Sequence, residues 1–599
     1  MKPRIERRAA NVAGDWPDAI HPVLRRVYAA RGIASPSEIE HRLTALLAPH
    51  SLGGLERACE LIEAALRRDV RIMIVGDFDA DGATGTAVAM RGLRLLGARN
   101  VDYAVPNRFR HGYGLSPALV EELRARTPEL LITVDNGVAA NAGVAAAKAL
   151  GMQVIVTDHH LPGAVLPPAD AIVNPNCCSF EECGHGRPPC DLCVQDARMN
   201  TNFASKALAG VGVMFYLLLA LRARLRERGW FAERGVNEPD LAVLLDLVAL
   251  GTVADLVRLD RNNRILVEAG LRRIRSGRAC AGIVALLASG KRDPARAVAS
   301  DLAFVVGPRI NAAGRLEDMR LGIECLLADD AARAVNLAET LAAINAERRE
   351  LQAGMVEQAQ AEVDKWKNAH GAEALPRGLV LFDPGWHHGV VGLVASKLKE
   401  TLNRPVIACA PSSEGADEIK ASGRSIEGFH LRDALAQIDA AQPGLLARFG
   451  GHAMAAGLSM QRADLPAFSL AFDAVARERI APEQLESVLL SDGELGAADF
   501  SFELARQLRA GGPWGQAFPE PLFDGEFAVE SWRVVGERHW RLKLRLAGLS
   551  TPLDAVLFNA PLDAEPPARV RAAYQFELDE WQGILRLQLL LRHMEQAGR

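Results

Sequence analysis

Short, nearly continuous apolar runs alternate with helical patterns through the first third of the chain. Arg71-Ile-Met-Ile-Val-Gly76, Leu130-Leu-Ile-Thr-Val134 and Gln153-Val-Ile-Val-Thr157 are such runs, and helices are predicted over Thr84–Leu96 and Ala139–Leu150. This alternation predicts βαβ units and a parallel sheet, and apolar strands of this kind imply a sheet covered on both faces. Ala207–Arg228 and Leu241–Ala254 read as helices rich in Leu and Ala. From Asp329 to Asn368 there is no proline and one glycine, Gly354, which predicts a long helical connector; 40 residues in one straight helix would span ~60 Å. A second α/β region follows, with strands at Gly378–Phe382 and Pro405–Cys409 around a helix near Gly392–Leu402. Beyond about residue 500 the pattern changes to period-two runs, Phe527–Val535, Trp540–Leu546 and Ile584–Leu591, which predict a small barrel or sandwich.

The expected organisation is an N-terminal helical lead-in (1–50), a parallel-sheet catalytic domain (51–328), a connector (329–370), a second α/β domain (371–475) and an OB-like β-domain (476–599). Composition narrows the classes. With 599 residues, 49% of them hydrophobic and 24% charged, the chain is an ordinary multidomain globular protein and not a disordered one. Lys plus Arg number 69 against 74 Asp plus Glu, a net charge of −5 that excludes a uniformly basic nucleic-acid protein but not a local basic groove. The longest apolar run, Ala207–Leu221, is shorter than the ~20 residues of a spanning helix, so a buried helix is expected and no membrane association. Met1–Ala10 is charged with no apolar segment behind it, which predicts a cytoplasmic protein whose nine Cys are thiols or metal ligands.

The candidate chemistry lies where the early strands stop. The first ends in Gly76-Asp77-Phe-Asp79-Ala-Asp81-Gly82; if it stays extended, the three acids share a face. The second ends in Asp135-Asn136-Gly137 and the third in Asp158-His159-His160; Asp255 follows a Leu-rich helix. Ligands of open α/β sheets bind at the carboxyl ends of strands, so these groups converge on one edge. Carboxylates so close repel one another unless a cation neutralises them. Oxygen donors with one or two imidazoles suit Mn²⁺ or Mg²⁺, and two such ions suit phosphoester hydrolysis. The plainer reading, that these aspartates are only helix N-caps, explains one of them better than five.

With these motifs in order, the sequence resembles the DHH phosphoesterase superfamily, named for a triplet present here as Asp158-His159-His160. Within it the closer resemblance is to the RecJ family, carried by Pro106–Gly114, Gly307-Pro-Arg309-Ile-Asn311-Ala-Ala-Gly-Arg315, Trp386-His387-His-Gly389, Ala421-Ser422-Gly-Arg424 and Phe449-Gly450-Gly451-His452. The resemblance implies a 5′→3′ exonuclease specific for single-stranded DNA that releases 5′-mononucleotides in DNA repair and recombination. It implies metal positions at Asp77, Asp79, Asp81, Asp135, His159 and Asp255, with Asp135 as the bridge and Asp77 the least direct ligand. His160 is expected on the scissile phosphate and Asp158 behind a histidine. Arg108, Arg309, Asn311, Arg315, His387, Ser422, Arg424, Gly451 and His452 are the implied nucleic-acid and phosphate contacts, with Arg108, Ser422 and Arg424 associated with the 5′ end. Single-strand-binding protein and a RecQ-type helicase are the implied partners of a monomer. An oligoribonuclease or cyclic-dinucleotide phosphodiesterase of the same superfamily is the alternative, and a non-catalytic scaffold a third.

Two features stand beside that resemblance. In Trp540-Arg541-Leu-Lys543-Leu-Arg545 basic and apolar residues alternate, so a strand would carry a row of cations, near Trp532 and Trp581, suited to single-stranded nucleic acid. The insertion 177–204 is the departure from the family: Cys178, Cys183, Cys190 and Cys193 have the spacing of a structural Zn²⁺ site, against an equally weighted reading as reduced thiols in a polar loop. The remaining Cys sit in apolar contexts and are expected in the core.

Overall fold

The three apolar runs are strands of one five-stranded parallel sheet. In chain order its strands are β1 (Ile72–Val75), β2 (Val101–Ala104), β3 (Leu130–Val134), β4 (Gln153–Thr157) and β5 (Ala171–Val173), arranged β2-β1-β3-β4-β5. Every residue of β1, β3 and β5 is buried. Ile72 and Ile74 join a core formed with the helices Ala80–Leu95, Gly210–Glu227 and Leu245–Ala254, while Met73 and Val75 face the helices Pro117–Arg124 and Asn141–Ala149. Coverage on both faces is why these strands are continuous apolar runs rather than alternating ones. This computed structural model describes residues 3–598 except 13, 109, 178–201, 372–373, 414, 537, 562–563 and 582–583, and of 580–581 only the backbone.

The chain divides into two units, one of residues 9–345 with 492–599 and the other of residues 1–8 with 346–491. In the first unit the tail forms a closed five-stranded barrel of β11 (Phe523–Val535), β12 (His539–Arg545), β13 (Leu553–Leu557), β14 (Arg569–Trp581) and β15 (Ile584–Gln596), ordered β11-β12-β13-β15-β14. The alternation in β12 is as expected: Trp540, Leu542 and Leu544 are buried, and Lys543 and Arg545 exposed. Its cations are not a bare row, however. Asp554 on β13 sits 3.0 Å from Lys543 and 3.8 Å from Arg541, and Arg545 pairs with Glu530 on β11. Trp532 is 36% exposed, whereas Trp540 is core, and the Trp581 side chain lies outside the described residues.

The barrel shares the first unit's hydrophobic core through Phe523, Phe527, Trp540 and Tyr574. Tyr28, from the helix Pro22–Ala29, stacks on Trp16, Trp514 and Phe518, and the Arg264 guanidinium lies 4.4 Å from the Phe518 ring. Where the chain re-enters this unit, Asp492 forms a fully buried two-pronged ion pair with Arg31 at 2.8 and 3.0 Å. Arg31 also donates to Val27 O and Pro519 O, and Asp492 Oδ2 accepts from Leu522 N–H, so both ions are solvated by protein. The lead-in 1–50 is less helical than expected: it opens with a strand, Arg4–Arg7, paired in parallel with Val488–Ser491 of the second unit, because an unpaired strand edge there supplies the partners.

The second unit carries a mixed sheet of β6 (Leu379–Phe382), β7 (Val406–Pro411), β8 (Glu418–Arg424), β9 (Arg448–Gly451) and β10 (Ala455–Gln461), ordered β9-β10-β8-β7-β6, with only β6 and β7 parallel. The helix Val391–Leu402 packs on β7 and β8. The connector is a single helix, Ala331–His370 of 40 residues, and the boundary between units falls within it. No described helix is long and apolar enough to cross a membrane. Cys59, Cys177, Cys325 and Cys409 are buried; Cys178, Cys183, Cys190 and Cys193, and with them the zinc expectation, lie outside the described residues.

Removing one partner of a buried ion pair leaves the other as an uncompensated charge, so Asp492→Ala should destabilise the first unit by ~3–5 kcal/mol. The check is a chemical-denaturation profile against the parent chain; an unchanged midpoint would show the pair is dispensable.

Candidate metal centre

The extended run expected from Asp77 to Asp81 is not extended. β1 stops at Val75 and the helix Ala80–Leu95 starts at once, with Asp79 as its N-cap accepting from Gly82 N–H at 2.9 Å. The acids therefore meet on a strand-to-helix turn. The turn is clamped from outside: Asn311 Oδ1 accepts from Ala80 N–H at 2.7 Å, and a Cβ on Gly314 would lie 2.0 Å from Phe78 O. Asn311, expected on phosphate, thus spends its carbonyl on the turn's backbone. Asp81 caps a second helix, both its oxygens accepting backbone N–H groups, Gly210 at 2.6 Å and Val211 at 2.9 Å.

The next two strand ends complete the cluster. Asp135 follows β3 with φ +63°, a left-handed conformation that costs a non-glycine residue ~1–3 kcal/mol and recurs where function demands it. Gly210 makes room for it, since a Cβ there would lie 2.6 Å from Asp135 Cβ and Oδ1. Asn136 donates to Val75 O and Val134 O and so ties the ends of β1 and β3 together. After β4, Asp158 accepts from His159 N–H, from His160 N–H, from Val138 N–H and at 2.8 Å from His160 Nδ1. The amides of Asn174 and Asn176 hold the carbonyls of His160 and His159.

Three groups of potential ligand atoms result, each within 4.8 Å: Asp77, Asp79 and Asp135; Asp135, His159 and His160; Asp81, His159 and Asp255. His159 Nε2 is 3.1 Å from Asp135 Oδ1, 3.5 Å from Asp255 Oδ2 and 3.9 Å from Asp81 Oδ2. All six positions expected to hold metal are in this one cluster, and Asp135 and His159 are each shared between groups. Burial, and then the charges of neighbouring carboxylates, push Asp77, Asp135 and Asp255 well above the usual carboxylate range and Asp81 up to about 7. Asp158 goes the other way: burial would raise it, but His160 and backbone N–H groups hold it low. Burial works against the charged form of His160, yet its bond to Asp158 takes it up to about 9. Asp77 Oδ1 and Asp135 Oδ1 are buried and accept no hydrogen bond. Anionic oxygens left without donors, beside an imidazole, fit one or two divalent cations of the Mn²⁺ or Mg²⁺ kind.

Tyr113 is a neighbour that its motif had not singled out. Its hydroxyl donates to Asp135 O at 3.2 Å and lies 3.4 Å from the His160 ring, and its ring stands edge-on to both Phe78 and His160. Arg108 lies over Phe78 with its guanidinium carbon 4.1 Å from the ring centre; burial lowers its pKa, with Asp77 and Asp79 opposing that shift. Arg309 is turned inward, donating to Val305 O at 2.6 Å, and Arg315 ends the same helix, Gly307–Leu316.

The other candidates lie in the second unit. On β8, Arg424 donates to Ser422 Oγ at 2.9 Å and to Gly423 O at 2.8 Å. His387 Nδ1 accepts from Gly389 N–H just ahead of the helix Val391–Leu402. Gly451, with φ +141°, ends β9, and the exposed His452 donates its N–H to Ala455 O.

Comparisons with known proteins follow the same division. Residues 71–252 match the DHH family N-terminal domain, 376–478 the DHHA1 domain and 491–593 the RecJ OB domain. The single-stranded-DNA-specific exonuclease RecJ of Salmonella typhimurium is 48% identical over 591 residues, 98% of each chain, and that of Escherichia coli 47% identical over 596 residues, 99% of each. The crystal structure of RecJ from Thermus thermophilus in complex with Mn²⁺ superposes with a TM-score of 0.78 at 30% identity, covering 100% of this chain and 80% of that one. Its complex with Mg²⁺ gives a TM-score of 0.72 at 29% identity. Likeness that extends along almost the whole of both chains, and through all three domains, establishes that this chain belongs to the RecJ family.

Proposed function

We propose that the protein is a metal-dependent exonuclease that degrades single-stranded DNA from its 5′ end and releases 5′-mononucleotides. The observation that carries this reading is the convergence of five carboxylates and His159 at one sheet edge, in groups linked through Asp135 and His159. Asp77, Asp79 and Asp135 would hold one divalent cation, and Asp81, His159 and Asp255, with Asp135 between, a second. When bound, such ions supply Lewis acidity at the phosphoryl group and a strong nucleophile at neutral pH. His160, fixed by Asp158, stands beside the cluster, where its imidazole would donate to a phosphate oxygen. Tyr113 shields one side of that ring.

Polarity is assigned to the second unit and to Arg108. Ser422 and Arg424 form a preset pair in which the guanidinium, a planar fork, can grip a terminal phosphate. The barrel serves strand binding: half-exposed Trp532 offers a face on which a base stacks, and the β12 cations would exchange Asp554 and Glu530 for phosphate oxygens. Roles in DNA repair and recombination, as a monomer working with single-strand-binding protein and a RecQ-type helicase, rest on family membership alone. The OB match over 491–593 favours this reading over a dinucleotide phosphodiesterase.

With Mn²⁺, the purified chain should shorten end-labelled single-stranded DNA from the 5′ end and spare blunt duplex. Digestion from the 3′ end, or equal cutting of a dinucleotide and a long strand, overturns the proposal. Asp135→Ala should abolish cleavage in a chain that remains folded by circular dichroism. Asp158→Asn, which weakens the hold on His160 while keeping all six expected metal ligands, should lower turnover by ~10–100-fold; parental turnover would remove Asp158 from the machinery.

A further inference from the structure

The two helices that hold the acids meet again at their other ends. The helix Ala80–Leu95 is capped by Asp79, has Asp81 in its first turn and ends in Arg91, Arg94 and Leu95, about 24 Å along its axis. The helix Leu245–Ala254 has the opposite sense, opening at Asp246 and leading into Asp255. Their far ends line a cavity of about 480 Å³, a volume in the range of small-ligand sites. Four arginines, Arg91, Arg94, Arg273 and Arg278, face two aspartates across it.

The charges do not cancel. Arg91 is held by Asp329 at 2.8 Å and the charge of Arg273 acts on Asp246, but Arg94 and Arg278 pair with no carboxylate among the described residues. Asp246 turns both oxygens into the wall, accepting from Leu247 N–H at 3.0 Å and Cys280 N–H at 2.7 Å. Arg273 Nε is buried without an acceptor, while its Nη2 donates to Arg278 O at 2.7 Å and fixes that loop. A cation in the last turn of a helix complements the helix dipole, which accounts for Arg94 and Arg273 one at a time. It does not account for their convergence, nor for Arg278, which follows the helix end. The lip is apolar, with Leu95 44% and Val243 40% exposed.

We propose that this cavity is a second ligand site, distinct from the metal centre, for a nucleoside phosphate: arginines on the phosphate, Leu95 and Val243 against the heterocycle. Guanidinium groups are the preferred partners of phosphate oxygens, and apolar walls suit a flat base. A ligand there touches the ends of both helices that carry the acids, so the site is placed to report on the metal centre. A free mononucleotide and the end of a DNA strand share this chemistry, and the experiment separates them.

The test is calorimetric titration of the full chain in chelator with 2′-deoxyadenosine 5′-monophosphate, deoxyadenosine, inorganic phosphate and a 5′-phosphorylated oligonucleotide. The monophosphate should saturate and bind more tightly than deoxyadenosine or phosphate. Arg94→Glu with Arg278→Glu should weaken it by about tenfold or more; both side chains are exposed, so the melting profile should show one cooperative transition, lowered only slightly by the lost helix-end cation. If the oligonucleotide keeps its affinity in that variant, the site takes the free nucleotide; if it loses it in parallel, the site takes a strand end. No saturation by about 10 mM monophosphate, equal affinity in the variant, or equal binding of deoxyadenosine or of phosphate alone would each overturn the proposal.

Discussion

Like charges buried together are the constraint from which this structure follows. Asp77, Asp81 and Asp135 are each almost wholly removed from water, and Asp79 and Asp255 press against them. An isolated carboxylate in such a place would protonate. The protein answers with fixed donors wherever it can: two helix N-terminal N–H groups on Asp81, one on Asp79, a histidine and three backbone N–H groups around Asp158. Asp77 Oδ1 and Asp135 Oδ1 are buried without a donor, and such unmet charge suits a cation.

Much of the surrounding fold exists to hold this arrangement. Parallel strands bring three turns to one edge, and helices from distant parts of the sequence are drawn onto it. Gly210–Glu227 is seated by its bond to Asp81, and Gly307–Leu316 lies close enough on Phe78 O that no side chain fits at Gly314. The left-handed Asp135 is tolerated because Asn136 and the Thr157 carbonyl pin the backbone on either side of it.

The parts legible in the sequence were those with a repeating physical cause. Buried strands in a parallel sheet must be apolar throughout, so β1, β3 and β4 stood out, as did the uninterrupted helix Ala331–His370. Strands β8 and β10, Glu418–Arg424 and Ala455–Gln461, were not visible: they hold few β-branched or aromatic residues, and neighbours on both sides supply their order. The acids were legible by kind but not by conformation. Nothing local distinguishes an Asp79 that continues a strand from one that caps a helix. Asn311 was legible only as a motif member, since its partner Ala80 lies 231 positions away. The cations of β12 were visible and their neutralising partners Asp554 and Glu530 were not, because cross-strand pairing is set by register.

The capping role of Asp81 makes catalysis and folding share a thermodynamic cycle. Its two oxygens both seat the helix Gly210–Glu227 as acceptors while it is ionised, and burial, followed by the charge of Asp79, favours the protonated form. A cation bound beside Asp79 and Asp255 would strengthen Asp81 as a cap, and occupancy would then add to the cohesion of the domain. Saturating such a site a hundredfold above its dissociation constant is worth about 2.7 kcal/mol to the folded state. Metal scarcity would then loosen the molecule as well as idle it, and proteolytic turnover would fall first on chains that lack the ion.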